Sequence, residues 1–345
     1  MQLPVLPNLD PAKKTAIQAH QDDLAKPQGS LGRLEALGNQ MAWIAGSIKI
    51  DDPEAYIFTF GGDHGIAKHG VSAFPQEVTP QMVVNMALGG AAINVLCRAN
   101  RVHHAIVDVG VAVPCEHPKV VQRNVMRGTG DPLAGPVMSR EQAEACLQVG
   151  IDMVMALPQH PFALLGVGEV GIANSAVAAI LTSVFTGVDS DAATGPGTGV
   201  QGSALENKRK VIRQVIEKHR PDPKDPIGVL AAVGGTEFGA MAGAMLAAAS
   251  RGWAVIVDGY IAGAAACLAM ALDPKVKDFM VWSHRSAEPG ATKLLEKLGK
   301  EPILDLGFRL GEGTGAAMSV PVLRSACAIM REMLTFSGAG VSTAV

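Results

Sequence analysis

The sequence predicts an α/β fold, a mostly parallel sheet with helices on both faces plus a smaller, mainly helical lobe, and three observations carry that expectation. Seven short apolar, β-branched runs recur between longer helical patterns, and most of them end in Gly, Asp or Ser. The 345 residues are 48% hydrophobic but only 4% aromatic, so Ala, Val, Leu, Ile and Met must fill the core. Alternating strand and helix signals specify a parallel sheet covered by helices, and small side chains favour close packing of those helices. A chain of this length buries enough surface to need no disulfide or metal staple.

Residues 1–50 read as helical, with the loop "AKPQGSLGRLE" followed by "ALGNQMAWIAG" at helical spacing. They are expected to belong to the small lobe or to reach a partner subunit. A large α/β domain is expected over 51–310, and a C-terminal helical segment over 311–345 closes the small lobe. The candidate strands are "AYIFTF" (55–60), "HHAIVDVGVA" (103–112), "FALLGVG" (162–168), "GVLAAVGG" (228–235), "WAVIVDG" (253–259), "FMVWS" (279–283) and "PILDLG" (302–307). The polar connection "EKHRPDPKDP" (217–226) reads as a surface loop. In such Rossmann-like sheets ligands bind beyond the carboxyl ends of the strands. The residues there deserve attention first: Gly61 to His64, Gly166, Gly168, Glu169, Gly234, Gly235, Asp258, Gly259 and Ser283 to Ser286.

The formal charge of −3 and the shortness of the one basic run, "NKRK", argue against a nucleic-acid partner and for small-molecule substrates. Five scattered cysteines, an odd number, read as buried thiols in a reducing compartment. The N-terminus "MQLPVLPNLDPAKKTAIQ" lacks the basic start and apolar block of a signal peptide. Glycine, Arg251 and Asp258 interrupt the long apolar segment around residues 238–272. A cytoplasmic protein without a membrane partner is the expectation.

Several motifs compete for the chemistry. Gly166, Gly168 and Gly171 spell G-x-G-x-x-G between an apolar run and a helix, as a dinucleotide site does. The acidic end of a second strand that such a site requires is poorly provided. A helix start at Asn174 or Ser175 facing an anion is the alternative, with Glu169 beside it suited to a cationic ring or a sugar hydroxyl. The loop "TGPGTG" with Lys208 resembles half a phosphate cradle but lacks the G-K-[ST] ending of a P-loop. "FGGDHGIAKHGVSAFPQEVTP" gathers Asp63, His64, His69 and Glu77, but the two histidines are five apart, off the i, i+4 face that a metalloprotease uses. A glycine-hinged loop over a ligand, walled by Phe74, Pro75 and Met82, is one reading; a buried corner in which Asp63 caps a turn is the other. No Ser/His/Asp triad is claimed around Asp258, His284 and Ser286, since G-x-S-x-G is absent. "RLGEGTGAAM" sets Glu312 between glycines, either as an anion cradle or as a displayed carboxylate.

In order along nearly the whole chain, "KPQGSLGRLE", "FGGDHGIAKHGVSAFPQEVTPQMV", "GGAAINVL", "VDVGV", "GVGEVGIANS", "GPGTG", "VGGTEFGAMAGAML", "VDGYIAGAAA", "SHRSAEPGA" and "RLGEGTGAAM" resemble the nicotinate-nucleotide:dimethylbenzimidazole phosphoribosyltransferase family. The resemblance implies transfer of the phosphoribosyl group of nicotinate mononucleotide to an aromatic base, inverting β to α and releasing nicotinate, in cobamide biosynthesis. It implies no metal or organic cofactor. By the same resemblance Glu312 is the general base and Glu169 lies near the ribose and leaving group. Gly171, Asn174, Ser175 and Lys208 fall on the phosphate side, while Phe74, Met82, Ser286 and Leu310 border the base pocket, with Asp258 also among the substrate contacts. Some dimethylbenzimidazole-specific members carry serine and glutamine where this chain has Phe74 and Met82, which leaves benzimidazoles, purines and phenolics open. A homodimer is implied, or a heterodimer as in the phenol-activating relatives, of which this chain would be the catalytic subunit. A nicotinamide dinucleotide oxidoreductase is the competing class.

Overall fold

The computed structural model describes residues 1–342, so the last three residues of the expected 311–345 segment lie outside it. In chain order the elements begin with α1 (Ala12–Asp23), α2 (Arg33–Ala45), β1 (Glu54–Gly62), α3 (Val78–Leu88), α4 (Ala92–Ala99), β2 (His103–Gly110) and β3 (Val120–Gln122). Next come α5 (Arg140–Met155), β4 (Ala163–Val170), α6 (Asn174–Thr186), α7 (Ser190–Ala193), α8 (Ser203–His219), α9 (Pro226–Val233) and α10 (Thr236–Ser250). The chain continues through β5 (Ala254–Val257), α11 (Tyr260–Leu272), β6 (Met280–Trp282), α12 (Pro289–Leu298), α13 (Thr314–Glu332) and α14 (Phe336–Ala339).

The six strands form one sheet in the order β3-β2-β1-β4-β5-β6, and every neighbouring pair is parallel. The chain walks outward from β1 through β2 to β3, then restarts on the other side of β1 with β4. The reversal opens a crevice at the carboxyl ends of β1 and β4. Their register sets Thr59 beside Gly168 and Phe60 beside Glu169, which delivers Glu169 to that crevice.

Five of the seven expected strands form. The candidate "GVLAAVGG" is instead helix α9, and an apolar run of eight residues fits either a buried strand or a buried helix. What decides is the start: Asp225 caps the helix by accepting from Gly228 N, and Pro226 occupies its first turn. "PILDLG" contributes only the isolated bridge of Leu304 with His284. The three-residue edge strand β3 was not anticipated, being held only by pairing with β2.

The low aromatic content has a direct packing consequence. Helix α10 is buried along almost its whole length and lies against α5 so closely that a Cβ on Gly150 would stand 1.8 Å from the Ala240 carbonyl oxygen. Helix α13 packs on α2 and reaches the sheet at β4, and Ile17, Ala42 and Met330 from α1, α2 and α13 form a small separate apolar cluster. The stretch Val78–Ala99 is long and apolar enough to cross a membrane by composition. The backbone divides it at Gly89 and Gly90 into α3 and α4, each shorter than the ~20 residues a span needs. All five cysteines are free and buried.

Candidate active site

A cavity of about 470 Å³ opens at the carboxyl edge of β4, β5 and β6, within the ~300–1,000 Å³ usual for small-molecule sites. Its wall includes Glu169, Gly171, Asn174, Ser175, Asp258, Ser286 and Glu312, with Phe74, Met82 and Leu310 beside them. Phe74 and Leu310 are exposed, whereas Ser286 is buried. Lys208 alone among the expected site residues is not in the wall. It sits behind Ser175 on α8, fully buried, its Nζ donating to Ser175 Oγ at 2.9 Å and to the Gly195 carbonyl at 2.9 Å.

Glu312 arrives by an unusual backbone. Gly311, Glu312 and Gly313 have φ of 84°, 63° and 93°, three consecutive left-handed residues immediately before α13. Such a conformation costs a residue with a Cβ roughly 1–2 kcal/mol, so glycine flanks the one side chain that is kept, and strain of this kind clusters at functional sites. The Glu312 peptide rests on β4 where Gly168 has no side chain: a Cβ there would lie 2.3 Å from the Glu312 carbonyl carbon. The glycines of "GVGEVG" therefore serve close packing within the fold: Gly168 against the Glu312 peptide, Gly166 against Ala316 and Ile57, and Gly171 against the Gly62 carbonyl. The Glu312 Oε2 atom accepts from Ile93 N at 3.3 Å, at the start of α4, where the helix end favours a negative charge.

Three carboxylates thus line the cavity together. Burial raises the pKa of Glu312, aided by the negative charge of Asp258 and opposed by the Ile93 N–H. Glu169 is raised well above the usual range by burial and by the charges of Asp258, Glu237 and Glu312. The Asn174 side-chain amide donates to Glu169 Oε2, and its backbone N–H to Gly171 O at 3.2 Å. Asn174 consequently orients Glu169 instead of offering that amide to an anion. Burial pushes Asp258 up to about 7, although Ala316, Gly315, Gly313 and Gly259 offer it backbone N–H groups. Its Oδ1 accepts from Ala316 N at 2.9 Å, which ties the end of β5 to the first turn of α13, directly after Glu312. His284 does not neutralise the carboxylates: burial lowers its pKa to about 4. Its ring stacks on Phe308 at 4.1 Å, and Nδ1 lies 4.0 Å from Asp258 Oδ1.

The cations of the site, Lys208 and Arg309, gather near Ser175 and Gly197, with Glu288 among them. Burial lowers Lys208 to about 8, with Glu288 acting against the shift. Arg309, in the wall, donates to Gly197 O at 2.5 Å and so ties the "GPGTG" loop to the "RLGEG" loop. Glu288 also lies here, its Oε2 accepting from Gly197 N at 3.2 Å and its Oε1 3.9 Å from Arg309 Nη1. The Arg309 contact spans 112 residues of sequence, so no local pattern signals it.

The "FGGDHG" cluster disperses. His64 pairs with Glu237 of α10 at 2.6 Å, both side chains buried, while His69 pairs with Asp131 at 2.8 Å. Asp63 accepts from Ala112 N at 2.9 Å, a buried corner. Glu237, which sequence reasoning passed over inside "VGGTEFG", acts through its charge on Glu169. Among the described residues no group of three or more His, Cys, Asp or Glu side chains is arranged to hold a metal ion.

Residues 6–341 match the family model described as Phosphoribosyltransferase. The chain is 45% identical over 335 residues to the nicotinate-nucleotide:dimethylbenzimidazole phosphoribosyltransferase of Dehalococcoides mccartyi strain BAV1, covering 97% of this chain and 95% of that protein. It is 45% identical over 326 residues to the Geobacter sulfurreducens protein of the same name, covering 94% and 93%. The crystal structure of CobT from Thermus thermophilus matches with a TM-score of 0.91 at 38% identity, covering 97% of this chain and 100% of that one. Agreement along nearly the full length, in sequence and in backbone, makes this chain a member of the phosphoribosyltransferase family.

Proposed function

We propose that the protein transfers the 5-phosphoribosyl group of nicotinate mononucleotide to a lower-ligand base such as 5,6-dimethylbenzimidazole, giving the α-ribotide and nicotinate for cobamide biosynthesis. The relatives named above support the substrates. The observation that carries the reading is the charge arrangement of the cavity: Glu169, Asp258 and Glu312 line it together, while its cations gather near Ser175, Arg309 in the wall beside Glu288 and Lys208 behind Ser175. Nicotinate mononucleotide carries the complementary charges: its phosphate is anionic and its pyridinium nitrogen, bonded to the anomeric carbon, is cationic.

In this reading the phosphate lies toward Ser175, Lys208 and Arg309 and the ribose toward Glu169. The C1′–N bond to nicotinate breaks with its electron pair going to the pyridine nitrogen, and positive charge develops on the ribose beside the carboxylates. A ring nitrogen of the base attacks C1′ from the opposite face, and the second ring nitrogen loses its proton to Glu312. Phe74, Met82 and Leu310 supply apolar walls and Ser286 a hydroxyl. Asp258 acts chiefly by holding the Glu312 loop. We further propose that residues 1–50 and the described part of the C-terminal segment, 311–342, form a small lobe, and that the enzyme works in the cytoplasm as a dimer.

The test is incubation with nicotinate mononucleotide and, separately, benzimidazoles, adenine, phenol and p-cresol, with products separated by chromatography. Release of nicotinate with a benzimidazole and appearance of the ribotide are expected. No free nicotinate with any base would sink the proposal.

A further inference from the structure

Both ends of one hydrogen-bond chain lie on Glu312. Its carbonyl oxygen accepts from Thr59 Oγ1 at 2.7 Å. A carbonyl can only accept, so the single Thr59 proton points there, and His104 Nε2, 2.9 Å from the same hydroxyl oxygen, must be the donor to it. The imidazole is then the Nε2–H tautomer and its Nδ1 an acceptor, which suits Asn94 Nδ2 at 3.2 Å. Asn94 Oδ1 in turn accepts from Ala91 N at 3.1 Å and closes the first turn of α4. From that turn Ile93 N donates to the Glu312 carboxylate at 3.3 Å. Bond directions from Thr59 through His104 to Asn94 follow from one another, the Ala91 and Ile93 N–H groups can only donate, and the backbone of the α4 turn joins those two and completes the ring.

Sheet register makes the ring possible. Thr59 lies beside Gly168 on one side and beside Ile106 on the other. His104, two residues before Ile106, shares its face of the sheet. The missing Cβ of Gly168 leaves the space in which the left-handed Glu312 peptide meets the Thr59 hydroxyl.

We propose that Thr59, His104 and Asn94 are positioning residues for the transfer reaction, holding the backbone of Glu312 and the helix turn that receives its carboxylate in one arrangement. The inference rests on the reading of Glu312 as the base. The ring requires a neutral imidazole, and burial, which lowers the His104 pKa to about 4, maintains it. The groups facing the Glu312 carboxylate are then Asp258 from the end of β5, Glu169 from β4 and the Ile93 N–H from α4.

Thr59→Val, which keeps the branched shape and removes the hydroxyl, should lower kcat roughly tenfold or more while KM for nicotinate mononucleotide changes less than about twofold. The acid limb of the kcat profile should move to higher pH, because a displaced Glu312 loses the N–H that favours its charged form. Thr59→Ser, which retains the donor, should restore most of kcat. In a Glu312→Gln background Thr59→Val should cause no additional loss. Wild-type kcat and an unshifted acid limb in folded Thr59→Val, equal losses in the Val and Ser variants, or an additional loss on top of Glu312→Gln would each overturn the proposal. Should thermal melts show that Thr59→Val does not fold, His104→Gln and His104→Phe pose the same question. Gln keeps a donor toward Thr59 and should stay active where Phe does not, whereas equal rates overturn the proposal. Near wild-type turnover in Glu312→Gln removes the base assignment and this inference with it; inactive Glu312→Gln beside fully active Thr59→Val removes only the positioning ring.

Discussion

His64 and Glu237 close into a 2.6 Å ion pair between the end of β1 and the start of α10. Along the same sheet edge Glu169 and Glu312 face a cavity with no lysine or arginine paired to either among the described residues. Both clusters are buried and they influence each other, since the charge of Glu237 is among the causes that raise Glu169. In the closed cluster burial alone would lower the His64 pKa, but the charges of Glu237 and Asp63 outweigh it and the net shift is upward. In the open cluster no lysine or arginine among the described residues pairs with Glu169 or Glu312, and the Asn174 amide and the Ile93 N–H only partly offset burial, so their pKa values rise. Buried charge that has a partner is architecture; buried charge that faces a cavity without one awaits a cation or a proton.

The largest expected effect lies in the closed cluster. Glu237→Ala should cost about 3 kcal/mol in chemical denaturation near pH 6, the scale of a broken buried pair. His64 has a raised folded pKa, so the pair's contribution is fully present below the unfolded value near 6.5 and is lost as pH rises through the folded one. The gap between wild type and Glu237→Ala should therefore narrow at alkaline pH, and a gap independent of pH would exclude a charged His64 as the partner of Glu237. In the open cluster Glu312→Gln should reduce turnover by about a hundredfold or more while its melting temperature holds or rises, since it removes an unneutralised buried charge. A marked loss of stability would make Glu312 architectural too.

Smaller effects sharpen the picture around the cations. Lys208→Met should raise KM for the nucleotide about tenfold with kcat nearly unchanged, through loss of one charge-assisted contact. Because the Lys208 pKa is lowered to about 8, wild-type KM should climb above that pH and the variant's should not. The smallest effect is on the acid side. The Glu312 pKa is raised, so activity should fall on acidification at a pH above that of an ordinary glutamate; an acid limb at or below ~4.3 would contradict a buried base.

The strands around the site were legible because their signal is local: β1, β2, β4, β5 and β6 each carry a run of branched apolar residues ending in a turn residue. Helix α9 was misread because eight apolar residues have no period of their own, although the Asp-Pro pair before them marks a helix start. Of the site, Glu169, Glu312 and their glycines stood out because a carboxylate inside a glycine-rich segment has few structural uses. Arg309, Glu237 and the Thr59 ring did not, since their partners lie 112, 173 and 253 residues away.

Side-chain period and backbone freedom, which act over a few residues, thus specify an alternating α/β chain, a small-residue core and two carboxylates among glycines, one at the end of β4 and one in the loop before α13. Only the tertiary structure decided which buried charges are neutralised, that the Asn174 amide belongs to Glu169, and that Lys208 stands behind Ser175 and not in the wall. Desolvation and Coulomb forces act through space, and their outcome depends on which groups the fold brings within a few ångströms of one another.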